Sequence, residues 1–106
     1  MTTSQTSDGG SKYDGDKPRL DLVPGEAVLA MGRAFTYGAN KYEAHNWRKG
    51  IKHSRLYAAC LRHLTAYWMG ETHDPESGLS HIDHAMANLA MLISTTDKDD
   101  RFKEED

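Results

Sequence analysis

Residues 62–88 read RHLTAYWMGETHDPESGLSHIDHAMAN, two amphipathic helical patterns joined by a short polar connection. The first pattern ends at Gly70, and the second begins at Ser80, where Ser80 and Asp83 have the spacing of a capping box. The same stretch holds four histidines and four acidic residues. So many ligand-type side chains between two helices point to a metal site, and so to an enzyme.

Working outward, the second helix of the chain is expected from Ser54, a good N-cap, to Gly70. Leu56, Cys60, His63 and Tyr67 share one stripe of it, and Tyr57, Leu61, Leu64 and Trp68 lie beside them. The third helix is expected to run through Leu89 and Leu92 to about Thr95. Upstream, Val28, Met31 and Phe35 fall at helical spacing, Pro24 and Glu26 suit a first turn and Gly38 a stop, which predicts a helix over 25–37. A short helix over 40–46, ended by a loop at 47–50, would follow it. Residues 17–24, KPRLDLVP, carry a proline at each side and are expected to form an extended arm. The polar segments 1–16 and 97–106 read as disordered tails. With no strand pattern and no repeat, the fold class is all-α: a small three- to four-helix bundle with an extended N-terminal arm.

The chain has 106 residues, so it forms one domain at most, and its hydrophobic fraction of 38% is concentrated away from the ends. One cysteine, Cys60, excludes an internal disulfide. No long apolar run or basic leader is present, so a cytoplasmic location without membrane attachment is expected. A net charge of −3 argues against a general nucleic-acid binder. The distribution is more informative. Between Lys41 and Arg62 the chain carries Lys41, Arg48, Lys49, Lys52, Arg55 and Arg62 against Glu43 alone, and after Gly70 the acidic residues take over.

On the third helix His81, His84 and Asn88 occupy one face, so the two imidazoles are placed to bind one ion. His63 on the preceding helix and Glu71 and Asp74 in the connection complete the expected metal set. Carboxylates favour Mg²⁺ or Mn²⁺, and the mixture with imidazole admits Co²⁺ or Zn²⁺. Glu76, in the same connection, is the candidate for orienting an attacking water. Asp83 is assigned to the helix cap, His73 receives no role, and His45 and His53 are expected on the surface. A metal triphosphate needs cationic partners for its charge, and Lys41, Arg48, Lys49, Arg55 and Arg62 are the candidates, with Asn88 as a further nucleotide contact. Tyr42 and Trp47 are placed to stack on a base.

The segments KPRLDLVP, YGANKYEAHNWRKG, SRLYAACLRH and GETHDPESGLSHIDHAMANL occur in order over residues 16–92, and together they resemble the phage-type dATP/dGTP diphosphohydrolase domain, a MazG-like relative. The resemblance implies an all-α, usually oligomeric, metal-dependent fold that hydrolyses a purine deoxynucleoside triphosphate to the monophosphate and pyrophosphate. Some phage members, called MazZ, supply dGMP for 2-aminoadenine DNA synthesis. The wider MazG pattern places two Glu one turn apart on one helix and a Glu/Asp pair on the next. Here Cys60 with His63, then His81 with His84, keep the spacing and change the chemistry. Either the histidines replace the acids as ligands, or Glu71, Asp74 and Glu76 bind the metal from the connection and the histidines stand behind them or serve as the base.

The expected function is therefore metal-dependent dGTP or dATP hydrolysis by residues 17–96, in a homodimer or homotetramer, since so few helices bury little core alone. Two alternatives stay open. One is an HD-type triphosphohydrolase, releasing triphosphate; the other is a non-catalytic helical module that binds metal or nucleotide.

Overall fold

A computed structural model describes residues 15–95. The tail expected over 97–106 lies outside the described residues, as does all of the 1–16 tail but its last two positions. Three helices form the body: α1 (Gly25–Lys41), α2 (His53–Trp68) and α3 (His81–Ser94). Among the described residues none belongs to a strand, and no helix is long and apolar enough to cross a membrane.

The arm preceding α1 departs from the extended form expected of it. Residues Leu20–Leu22 make one 3-10 turn, held by a bidentate Arg19–Asp21 pair at 2.8–2.9 Å. Pro24 then starts α1 by accepting from the N–H groups of Ala27 and Val28 at 3.0 and 3.4 Å. Gly38 does not stop the helix, which runs on to Lys41 in place of the separate short helix expected over 40–46. A glycine costs a helix interior only about 1 kcal/mol relative to alanine, and here both Tyr37 and Lys41 bond Glu76. His45, in the left-handed region at φ 60°, leads into a second 3-10 turn, Asn46–Lys49, where a loop was expected.

Lys52, not Ser54, caps α2, and the helix begins one residue before the expected N-cap, at His53. His53 is buried rather than on the surface, its Nε2 lying 2.5 Å from Thr95 Oγ1 at the far end of α3. At its C-terminus α2 closes as a Schellman motif. Gly70, at φ 109°, donates to the Tyr67 carbonyl at 3.0 Å and Glu71 to that of Ala66 at 2.9 Å. This reversal sends Glu71 back towards the next helix. The connection folds into a tight turn with Asp74 donating to Leu79 at 2.8 Å and His81 to Thr72 at 2.9 Å, and Gly78 takes its positive φ. Ser80 caps α3 as expected, accepting from the Ile82 N–H at 3.0 Å. Asp83 does not complete a capping box; its carboxylate turns to Arg33 of α1 instead.

The buried apolar residues are small apart from Leu56: Ala30 and Ala34 of α1, Leu56 and Cys60 of α2, Ala85 and Ala87 of α3. Such a seam lets backbones approach closely, and α3 packs against both other helices. The Cys60 thiol reaches the Ala85 carbonyl at 3.8 Å, and its burial pushes its pKa up. Only the Leu56, Cys60 edge of the expected wide stripe on α2 is buried. Tyr57, Leu61, Leu64 and Trp68 face outward, Trp68 at 86% exposure.

Candidate active site

Where α2 ends and α3 begins, three imidazoles meet. His63 and His81 approach through their Nδ1 atoms at 2.8 Å, and His81 Nε2 lies 2.9 Å from a Glu71 carboxylate oxygen. His84 stacks on His63, ring centres 4.7 Å apart and planes within 14°. Its Nε2 is 2.7 Å from Ser77 Oγ and 3.6 Å from Asp74. Burial and the neighbouring His84 and His81 rings push the pKa of His63 down, so it resists protonation. Burial disfavours the Asp74 carboxylate, yet hydrogen bonds from the Ser77 side chain and backbone outweigh it and hold its pKa below the ordinary value.

All five expected metal-set residues, His63, Glu71, Asp74, His81 and His84, are therefore neighbours. Their donor chemistry suits a borderline divalent ion, but their ring nitrogens are turned on one another, on Glu71 and on Ser77. Among the described residues no three His, Cys, Asp or Glu side chains converge where one ion could be held. As arranged, the cluster does not fit a resident metal.

Beside the array opens a cavity of about 700 Å³ lined by α1, the Asn46–Lys49 turn and the inner face of α3. This volume lies within the range that small-molecule sites occupy. His63 and His84 line it, as do Lys41, Arg48 and Asn88. One wall is aromatic: Phe35 and Trp47 contact at 5.9 Å between ring centres, and the Arg48 guanidinium sits 4.3 Å over Trp47. Tyr42 lines the rim with Lys41 over its ring at 5.3 Å. The Asn88 carbonyl oxygen is buried without a partner.

The remaining expected residues divide. Lys49 pairs with Glu43, while Arg55 and Arg62 lie exposed on α2 and do not line the cavity. Glu76 does not line it either: its carboxylate is engaged by Lys41 and by the Tyr37 hydroxyl at 3.2 Å, and Lys41 in particular holds its pKa below the usual range. Lys41 is pushed up in turn.

Tyr37 and Ser77 received no role from the sequence. Tyr37 sits edge-on to His84 at 5.8 Å, and burial followed by the Glu76 charge raises its pKa. Its position four residues before Lys41, one turn along the same face, was the available signal. Ser77 had none.

An all-α domain with a nucleotide-sized cavity, cations at its rim and imidazoles in its wall defines a class of small-molecule site. The chain belongs to the dATP/dGTP diphosphohydrolase, N-terminal, family, whose model matches residues 7–105. A dATP/dGTP diphosphohydrolase of Salmonella phage PMBT28 is 33% identical over 84 residues, 79% of this chain and 29% of that protein. The matched stretch is thus under a third of that relative's length. No solved structure matches the chain.

Proposed function

We propose that the cavity binds a purine deoxynucleoside triphosphate and that the chain hydrolyses it to the monophosphate and pyrophosphate, in phage nucleotide metabolism. The observation that carries this reading is one cavity with a Phe35–Trp47 wall, Lys41 and Arg48 as cations, and His63 and His84 beside them. Family membership supports the same substrate class. Stacking on an aromatic face holds a base, and charge-assisted hydrogen bonds hold phosphates.

In this reading the substrate would be the Mg²⁺ or Mn²⁺ complex of the triphosphate, with the ion offsetting part of its charge. The phosphates compete with Glu76 for Lys41, so Glu76 stores the lysine at the rim in the empty protein. Arg48 stays on Trp47 and faces the same phosphates. Asn88 supplies a hydrogen-bond acceptor to the nucleoside.

We also propose a homo-oligomer, since the outward side chains of Tyr57, Leu61 and Trp68 give α2 an apolar face beyond what the three helices bury. Light scattering coupled to size exclusion tests it; a monomer at all concentrations would refute it.

The deciding assay incubates the protein with each common ribo- and deoxynucleoside triphosphate and Mg²⁺ or Mn²⁺, and separates the products. Monophosphate and pyrophosphate from dGTP or dATP are expected. Nucleoside with triphosphate would establish the HD-type reaction instead, and binding without turnover a non-catalytic module. Trp47→Ala is expected to raise KM ten- to a hundredfold with kcat within about threefold, since base stacking contributes roughly 1–3 kcal/mol.

A further inference from the structure

We infer that Asn88 reads the 3′-hydroxyl of the deoxyribose, holding the sugar between a phosphate end and a base end of the cavity. The inference rests on the nucleotide reading above and names the group that the buried Asn88 oxygen meets.

Helix α3 sets the scale of the cavity. His84, Asn88 and Met91 stand at i, i+4 and i+7, so they line it along one face over about 10 Å of helix. The two ends differ in chemistry. At the His84 end, Tyr37 lies edge-on to the imidazole, and Tyr37 and Lys41 both bond Glu76, which keeps the Lys41 cation there. At the Met91 end the lining is apolar. The C-terminal end of α3 meets the start of α2 through Thr95 and His53, and Ile51, two residues before α2, also lines the cavity.

The phosphates therefore sit by Lys41, and the base lies against the Phe35–Trp47 wall towards Met91. Asn88 is about one turn from each end. The distance along α3 is close to the reach of a deoxynucleoside from its 5′-phosphate to its base, which puts Asn88 beside the sugar.

What the oxygen lacks selects the group it meets. Asn88 Oδ1 is buried and has no hydrogen-bond partner among the described residues, so the ligand must bring a donor. Ionised phosphate oxygens only accept. Adenine donates from its 6-amino group and guanine from its 2-amino group and N1, on different parts of the ring edge, so one acceptor in the wall cannot meet both bases alike. The 3′-hydroxyl is the donor that dATP and dGTP carry at the same place. The terminal torsion of asparagine is soft, so a small turn of the amide completes the bond, and a hydroxyl can both donate and accept.

Titration calorimetry on the intact protein with Mg²⁺ tests this apart from turnover, using α,β-methylene analogues that attack at the α-phosphorus cannot split. Wild type is expected to bind the dGTP analogue about tenfold more tightly than its 2′,3′-dideoxy counterpart, the equivalent of one hydrogen bond. The dATP pair is expected to show the same ratio. Asn88→Ala is expected to bind the two members of each pair alike. Asn88→Asp, which keeps an acceptor, is expected to retain the preference even where its charge weakens binding of every nucleotide. Equal affinities within the wild-type pairs overturn the inference, as does a tenfold preference that persists in Asn88→Ala. A gap between the dGTP analogue and its dITP counterpart, which lacks the 2-amino group, overturns it too if Asn88→Ala abolishes that gap, because the oxygen would then be reading the base. A wild-type protein that binds neither the dGTP nor the dATP analogue removes the nucleotide reading, and this inference with it.

Discussion

The first turn of α3 touches the cavity through His84 and the middle through Ala87, Asn88 and Met91, but the two are built on opposite rules. In the first turn every polar side chain is already engaged: Ser80 by the helix backbone, His81 by Glu71 and His63, Asp83 by Arg33, His84 by Ser77. One turn further on, the Asn88 carbonyl oxygen is buried and unpartnered beside Ala87 and Met91 on the cavity wall. A buried acceptor without a donor costs stability of order 1–3 kcal/mol. The first turn is finished in the free protein; the middle is finished only when something else supplies a donor. Damage to the first should appear as lost stability, and damage to the second as lost binding.

The largest effect should come from the Arg33–Asp83 pair, which ties α1 to α3 across 50 residues of sequence at 2.9 Å. The two ends are unequal. The Arg33 side chain is 52% exposed and that of Asp83 5%. Arg33→Ala strands a buried carboxylate, whereas Asp83→Asn leaves a cation that water can solvate. The first variant should lower the melting temperature by roughly 10–20 °C and the second by clearly less. Equal losses in thermal unfolding would mean that the pair acts only by packing.

Asn88→Ala should do the reverse. Stability should stay within about 1 kcal/mol of wild type, because the orphaned oxygen leaves with its penalty. Affinity for the favoured nucleotide, measured by titration calorimetry, should fall about tenfold, the equivalent of one hydrogen bond. A large melting shift with unchanged affinity would erase the distinction between the two turns.

Ser80→Ala sharpens the comparison on a smaller scale. The lost cap should cost about 1 kcal/mol in chemical denaturation and leave nucleotide affinity unchanged, provided that the helix start does not reposition His81.

How far the sequence disclosed this division depends on the range of the interactions involved. The Ser80 cap and the break at Gly70 depend on neighbours within a few residues, and they were readable. The gathering of His63, Glu71, Asp74, His81 and His84 was readable too, because helical spacing and one short connection determine it. Asp83 was misassigned to the cap since its true partner lies on α1. His53 was placed on the surface for the same reason, its partner Thr95 being 42 residues away. Which nitrogens the histidines turn on one another was also hidden. Spacing shows that imidazoles will meet but not how their rings turn, and the approach of His63 and His81 through their Nδ1 atoms depends on that orientation.

The smallest effect expected is a pH dependence, and it separates the histidine cluster from the middle of α3. The pKa of His63 is pushed below its ordinary value of 6.5, first by burial and then by His84 and His81. Between the lowered value and 6.5 the unfolded chain binds a proton at this residue that the folded chain does not. Stability therefore rises with pH across that window and is lost as pH falls through it. The acidic groups nearby do not produce the same signal. Asp74 and Glu76 lie below ordinary carboxylate values, so their contribution is lost only at lower pH. Wild-type protein should accordingly lose stability on acidification from pH 6.5, before the carboxylates titrate. His63→Gln should flatten that part of the profile, and Asn88→Ala should leave it in place. The same slope in His63→Gln as in wild type would assign the titration to another group and would mean that His63 is not held neutral by its surroundings.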